Sequence, residues 1–223
     1  MASIDDISKK GSGKSDLWLS KELNSLVSPS NNNSKNVFYA SSIGNPCDRF
    51  LYLQYNGLLP VEYIPAQLLR VFDNGHAAED RYARYFERLN ALVSREVIAR
   101  IESPPIHGRA DFIVTFPKLS IPRFIIELKT IKSADFKKLL SPKKEHLIQL
   151  QFYLNVLNID SGAVLYENKD SQEIVSFLSH KSPMVFEGFI RRCKNIQNLK
   201  EIPDISKDNH PEWCQCIKYI STN

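Results

Sequence analysis

Phe124-Ile125-Ile126-Glu127-Leu128-Lys129-Thr130 alternates apolar and charged side chains inside an otherwise apolar run. Alternation with period two marks a strand. Ile126 and Leu128 then point one way, into the core, while Glu127 and Lys129 point the other way together. A carboxylate and an ammonium on one face of an apolar strand are costly to bury unless they pair or bind a metal. The preceding apolar run, Gly108-Arg109-Ala110-Asp111-Phe112-Ile113-Val114, carries a single carboxylate. Pro117-Lys118-Leu119-Ser120-Ile121-Pro122 separates the two runs, as an antiparallel connection does. A hairpin of these strands sets Asp111 beside Glu127.

Further elements follow on both sides. Residues 1–14 are polar and lysine-rich and read as a disordered leader. Leu17, Leu19, Leu23 and Leu26 have helical spacing, and the polar stretch SPSNNNSKN then reads as an exposed linker. Residues 1–36 are thus expected to stand apart from a single domain over 37–223. Within that domain a short helix is expected from Cys47 to Gly57 and a long one from Ile64 to Leu92. Strands are expected near 95–102, 109–116 and 123–131. Residues 133–157 return to helical spacing, interrupted at Ser141-Pro142. GAVLYE and EIVSFLS read as two strands, and Pro183 opens a last helix to Leu199. This order predicts an α/β domain, a mixed β-sheet flanked by helices.

Two carboxylates with nearby water and backbone oxygens form a hard-oxygen site suited to Mg²⁺ or Mn²⁺. A cation there polarises a phosphodiester and lowers the pKa of a bound water. Lys129 positions that water or stabilises the developing negative charge. Alone, Glu-Leu-Lys is more often a solvated, salt-bridged edge; the Gly-Arg-Ala-Asp strand at hairpin distance favours a site. Gln149 and Tyr153, four apart on one helical face, follow the Glu/Lys strand. An amide and a phenol so placed bind a phosphate or brace the lysine; the plainer alternative is a core tyrosine with glutamine at its rim.

The order Gly-x-x-Asp (108–111), Glu-x-Lys (127–129) and Gln-x-x-x-Tyr (149–153) is similar to the RecB-type branch of the PD-(D/E)XK nucleases. That branch includes CRISPR-associated adaptation nucleases, phage recombination exonucleases and nuclease domains of double-strand-break repair enzymes. The resemblance covers roughly residues 37–220. It implies a restriction-endonuclease-like core and one-metal or two-metal hydrolysis of DNA, single-stranded or at duplex ends. It favours exonuclease over endonuclease action. It also implies protein partners from recombination, repair or CRISPR adaptation, with a phage or prophage among the sources the branch allows. Two alternatives stay open: a catalytically silent DNA-binding or assembly subunit on the same fold, and a restriction-type endonuclease.

The family carries a metal-binding His on the helix before the first strand, within Gly-x-x-x-His. Here the helix reads Asp73-Asn74-Gly75-His76-Ala77-Ala78-Glu79-Asp80. Counted from Gly75, the ligand position falls on Glu79, whereas residue type favours His76, three residues earlier on the same face. Both readings stand, as does a third in which both residues are surface positions.

Cys47-Asp48-Arg49 resembles the first cluster ligand of the branch's iron–sulfur members. Cys193, Cys214 and Cys216 fit the expected C-terminal spacing poorly, and His210 lies close by in sequence. A [4Fe–4S] cluster on the four cysteines, Zn²⁺ at Cys47, His210, Cys214 and Cys216, and free thiols all stay open. In each case Cys47 and Cys214 are expected close together; where no metal binds, docking of the tail by Trp213 and Tyr219 takes its place. Candidate phosphate contacts are Ser41, Ser42, Arg49, Lys132, Lys137 and Lys138, with Lys143, Lys144, Arg191, Arg192 and Lys194 as further basic positions. Lysine runs of this kind are more often a solvated face.

The 223 residues are 43% hydrophobic and 24% charged, ordinary for a globular protein. The net charge of +4 permits a polyanionic partner without demanding one. The opening MASIDDISKKGSGKSD has no apolar run, and no stretch approaches the roughly 20 apolar residues of a membrane span. No membrane association and a cytoplasmic location are expected, and the cysteines are read as thiols or metal ligands rather than disulfides.

Overall fold

The computed structural model describes residues 18–26, 35–59, 65–116, 121–205, 214 and 216. The expected leader, His210, Trp213 and Tyr219 lie outside the described residues. The chain divides into two units, residues 1–31 with 62–74, and residues 32–61 with 75–223. The first contains helix α1 (Trp18–Ser25) and the opening turns of helix α3 (Ala66–Arg88), where Arg70 donates to the Asn24 side chain at 2.9 Å. No helix among the described residues is long and apolar enough to cross a membrane.

The second unit is a mixed six-stranded sheet flanked by helices, the α/β arrangement the periodicities imply. In chain order it contains β1 (Phe38–Tyr39), α2 (Asp48–Tyr55), the rest of α3, β2 (Leu92–Glu102), β3 (Pro105–Phe116) and β4 (Ile121–Ile131). Then come α4 (Ser133–Phe136), α5 (Lys144–Val156), β5 (Ser161–Asn168), β6 (Ile174–His180) and α6 (Pro183–Gln197). The expected strand at 109–116 begins earlier, at Pro105, and β1 had no periodicity to announce it because two residues cannot show one. The helical stretch over 133–157 is two helices, interrupted around Ser141-Pro142 as expected, since Pro142 cannot donate to a continuous ladder.

The sheet separates two apolar clusters. Ile125 and Ile131 of β4 join Leu150, Phe152 and Leu154 of α5 and Phe189 of α6 on one face. Ile126 and Leu128 join Phe112 and Val114 of β3 and Ala78, Tyr82 and Phe86 of α3 on the other. Strand β4 is therefore covered on both faces, not on one alone, as the alternation implied. The cause is the parallel β4–β5 pairing. A parallel pair needs a crossover, and its helix α5 lands on the sheet face that carries Glu127 and Lys129.

Strand β3 divides its edges. β2 pairs with it from Pro105 to Val114 on one side. The other side is shared by β1, at Ile106 and His107, and by β4, from Phe112 onward. Between these two the strands fork, and Gly108 to Asp111 face the opening. Alternation also slips here: Ala110 and Phe112, two residues apart, lie in opposite clusters. Across from Asp111, Glu96 adopts a left-handed φ of 51°.

Candidate active site

The fork is held open by its own hydrogen bonds. The backbone N–H of Leu128 donates to Asp111 Oδ2 at 2.7 Å, tying β4 to the carboxylate instead of to the β3 backbone. The backbone N–H of Arg109 donates to the Tyr153 hydroxyl at 3.3 Å, and Gln149 Nε2 donates to the same oxygen at 3.1 Å. Gln149 and Tyr153 thus share a helix face, as their spacing implies, but the phenol is fully buried and bonds the strand. A Cβ on Gly108 would lie 2.5 Å from Ala40 Cβ and 2.8 Å from the Tyr153 ring, so glycine is what admits the ring at the fork.

Glu127 is completely buried, and its Oε1 lies 2.7 Å from Lys129 Nζ. Its other oxygen, Oε2, has no hydrogen-bond partner among the described residues. A buried carboxylate oxygen left unpaired is costly, and oxygen donors of this kind suit a hard divalent cation. Asp111, Glu79, Gln149, Tyr153 and Ser41 line one cavity of about 620 Å³ beside it. Glu79 is half-buried there, whereas His76, one turn earlier on α3, is exposed. Of the two helix residues, the geometry brings Glu79 to the carboxylates. The three carboxylates do not draw together as tightly as the thiols described below; the close partner of Glu127 is Lys129.

Burial, and then the Glu127 charge, push the Asp111 carboxyl well above the usual carboxylate range. Burial raises Glu127 as well, against the pull of Lys129. For Lys129, burial disfavours the ammonium, but Glu127 and Asp111 outweigh it and its pKa is raised. A carboxyl with a raised folded pKa stabilises the fold below its unfolded pKa of about 4 and loses that contribution as pH rises through the folded value. In metal-free buffer the contribution of these two carboxyls to stability is therefore expected to decline as pH rises above about 4. Asp111→Asn keeps the acceptor for Leu128 and removes the charge. At neutral pH in EDTA it should raise Tm by about 2–4 °C, the shift that about 1 kcal/mol produces in a domain of this size. A lower Tm for the variant would mean that the charge is stabilising as it stands.

A second pair of residues at the site had no marker in the sequence beyond an ordinary strand tyrosine. Tyr166 of β5 is in register with Lys129. The Lys143 N–H donates to its hydroxyl at 2.9 Å, and His146 Nδ1 lies 2.8 Å away. Burial, with Lys129 and Lys143 nearby, pushes His146 down to about 3. The imidazole is then neutral near pH 7, and its Nδ1 shares one hydrogen bond with the Tyr166 hydroxyl.

The structure draws three of the four cysteines together. The sulfurs of Cys47, Cys214 and Cys216 all lie within 4.8 Å of one another and are buried. Cys47 also caps α2, accepting from the Phe50 N–H at 3.3 Å. Burial pushes Cys214 and Cys216 upward. Cys193 is buried on α6, outside this group, and burial pushes it up to about 12.

The candidate phosphate contacts divide. Ser41 lines the carboxylate cavity, whereas Ser42 Oγ is engaged with Gln54 and the Tyr39 carbonyl. Arg49 Nη1 donates to the Pro203 carbonyl at 2.8 Å, and Arg192 pairs with Asp48 at 2.7 Å, so they tie α2 to the segment after α6 and to α6 itself. Lys132, Lys137 and Lys138 are exposed just after β4.

No family model matches the chain, and no curated protein matches it by sequence. Solved structures do. The crystal structure of SSO0001 aligns at a TM-score of 0.52 and 23% identity over 83% of this chain and 85% of that one. An alkaline exonuclease from Laribacter hongkongensis, LHK-Exo, aligns at a TM-score of 0.52 and 14% identity over 79% of this chain and 90% of that one. The chain shares its fold with an alkaline exonuclease.

The two readings of helix α3 separate by experiment. Glu79→Ala should raise the Mn²⁺ concentration needed for half-maximal binding, and His76→Ala should leave it unchanged. The reverse pattern would make His76 the ligand, and no shift from either would remove the helix from the metal site.

Proposed function

We propose that the protein is a metal-dependent deoxyribonuclease of the PD-(D/E)XK class, RecB-like in its motif order, acting as an exonuclease on DNA ends. The observation that carries the reading is the buried Glu127, with one unpaired oxygen, beside Asp111 and Lys129 at a forked β-sheet edge. The shared fold with an alkaline exonuclease supports the choice of substrate and of end-directed action. Recombination, repair or CRISPR adaptation proteins would be its partners, in the cytoplasm.

Asp111, Glu127 and Glu79 would hold Mg²⁺ or Mn²⁺. Such a cation supplies Lewis-acid polarisation of a phosphodiester and a more acidic water. Lys129, kept protonated by its carboxylate neighbours, sits where it can stabilise negative charge developing on the phosphate oxygens. Gln149 and Tyr153 hold β3 at the fork and so fix the direction of Asp111. Exposed Lys132, Lys137 and Lys138 offer charge to the phosphates leading away from the cleft. The thiols of Cys47, Cys214 and Cys216 are soft donors, already convergent, and fit Zn²⁺ or a [4Fe–4S] cluster with one more ligand, Cys193 or His210. In that role the metal would tie the C-terminal segment to the start of α2.

Incubating the protein with linear and covalently closed circular DNA tests the reading. Linear DNA should be degraded with Mg²⁺ or Mn²⁺ and spared in EDTA, while the circle persists. Cleavage of the circle would make the protein an endonuclease. Undiminished cleavage in EDTA, or none with either metal, would defeat the assignment.

A further inference from the structure

Helix α3 reaches the carboxylate cavity through Glu79, yet what seats that part of the helix on the sheet is mostly non-directional. Ala78, Tyr82, Ala83 and Phe86 meet Phe112, Val114, Ile126 and Leu128. Apolar contact of this kind tolerates small rolls and slides of a helix, particularly where two of its residues are alanines. Beside the apolar stripe lies an ion pair with its carboxylate buried and its guanidinium one-third exposed. Arg81 Nη2 contacts both oxygens of Glu167, at 2.5 and 2.6 Å, and the Glu167 side chain is only 7% exposed. Burial, and then the neighbouring Glu167, push the Tyr82 hydroxyl up.

We propose that the Arg81–Glu167 pair is a positioning device that sets the roll of α3 on the sheet and thereby holds Glu79 at the metal site. This rests on the nuclease reading above.

Three observations carry it. The first is angular. Residues on an α-helix are about 100° apart, so Glu79 and Arg81 lie about 160° apart, on opposite flanks of the Ala78–Tyr82–Phe86 stripe. Pinning one flank fixes the direction of the other. A carboxylate about 6 Å from the helix axis moves about 2 Å for a roll of about 20°, far more than the roughly 0.2 Å tolerance of metal–ligand distances. The second is the location of the anchor. Glu167 of β5 is in register with Thr130 of β4, the residue after Lys129. The pair therefore references the helix to the part of the sheet that carries Glu127 and Lys129. The third is energetic. A pair with one buried and one partly exposed partner adds little net stability, because solvent screens the guanidinium while desolvation of Glu167 offsets much of the attraction. Stability alone gives little reason for this pair, whereas directional geometry does. The neighbouring Asp80–Arg95 pair, at 2.6 Å, is exposed and contributes little.

The test replaces the pair by apolar residues, Arg81→Met with Glu167→Leu, in the full chain. Melting temperature and Mn²⁺ binding are measured, the latter by the loss of the free-ion EPR signal, with Glu79→Ala and Glu127→Gln alongside. The double variant should melt at or above the wild-type temperature yet bind Mn²⁺ on the order of 10-fold more weakly, as loss of an outer-shell partner does. Adding Glu79→Ala to it should weaken binding little further. If the double variant binds as wild type while Glu79→Ala binds more weakly, the pair does not position Glu79. If neither Glu79→Ala nor Glu127→Gln changes Mn²⁺ binding, the metal site itself is misassigned. Should the double variant fail to fold, Glu167→Gln preserves volume and is judged by the same outcomes.

Discussion

Glu127→Gln is expected to abolish metal-dependent cleavage while leaving the protein folded. The substitution keeps the shape of a fully buried side chain and removes its charge. The oxygen that has no hydrogen-bond partner becomes a neutral amide terminus, a poor ligand for a hard cation. A bound cation supplies several kcal/mol of charge stabilisation in phosphodiester hydrolysis. About 4 kcal/mol corresponds to a rate loss of about 10³-fold. Mn²⁺ binding should weaken in parallel, which separates loss of the ligand from loss of chemistry. The fold should survive because the charge is held against its own burial: Glu127 is raised by desolvation, and Lys129 only partly offsets this. Activity within about 10-fold of wild type would place the cation elsewhere.

Lys129→Ala should show a different pattern. Its Nζ is 2.7 Å from Glu127, and the side chain is one-quarter exposed, so one end of the group faces the cleft. If it stabilises charge in the transition state, kcat should fall by roughly 10²–10³-fold, the range for a single electrostatic donor. DNA affinity and the Mn²⁺ titration should change much less, because Lys129 is not a ligand. Since the carboxylates raise its pKa, wild-type activity should show no lysine titration below the ordinary lysine value of about 10.4. Near-normal kcat in the variant would reduce Lys129 to a partner that neutralises Glu127.

These effects depend on different levels of the chain. Period-two alternation at Phe124 to Thr130 is a local property, so the strand and the shared face of Glu127 and Lys129 could be read directly. The prolines between Phe116 and Arg123 made a hairpin the economical connection, and Asp111 next to Glu127 followed from it. Helical spacing placed Gln149 and Tyr153 on one face in the same way. Local patterns of this sort survive folding because they reflect backbone geometry, which every residue carries with it.

What the tertiary structure decided involves partners distant in the chain. Full burial of Glu127 comes from the crossover that lays α5 over its face, and no property of the strand reveals that cover. That Glu79 lines the carboxylate cavity while His76 is exposed turns on how α3 seats on the sheet, which a helical repeat leaves free. The fork that Asp111 faces arises because β1 and β4 share one edge of β3, and β1, two residues long, has no readable period. Cys47 and Cys216 are 169 positions apart, and no spacing rule spans that distance. By itself the sequence determined which charged side chains share a strand or helix face and which strands hold them. The depth of burial, the pairing of edges and the aim of the helix were decided only in three dimensions, because each is set by contacts whose two halves are unrelated in the local pattern.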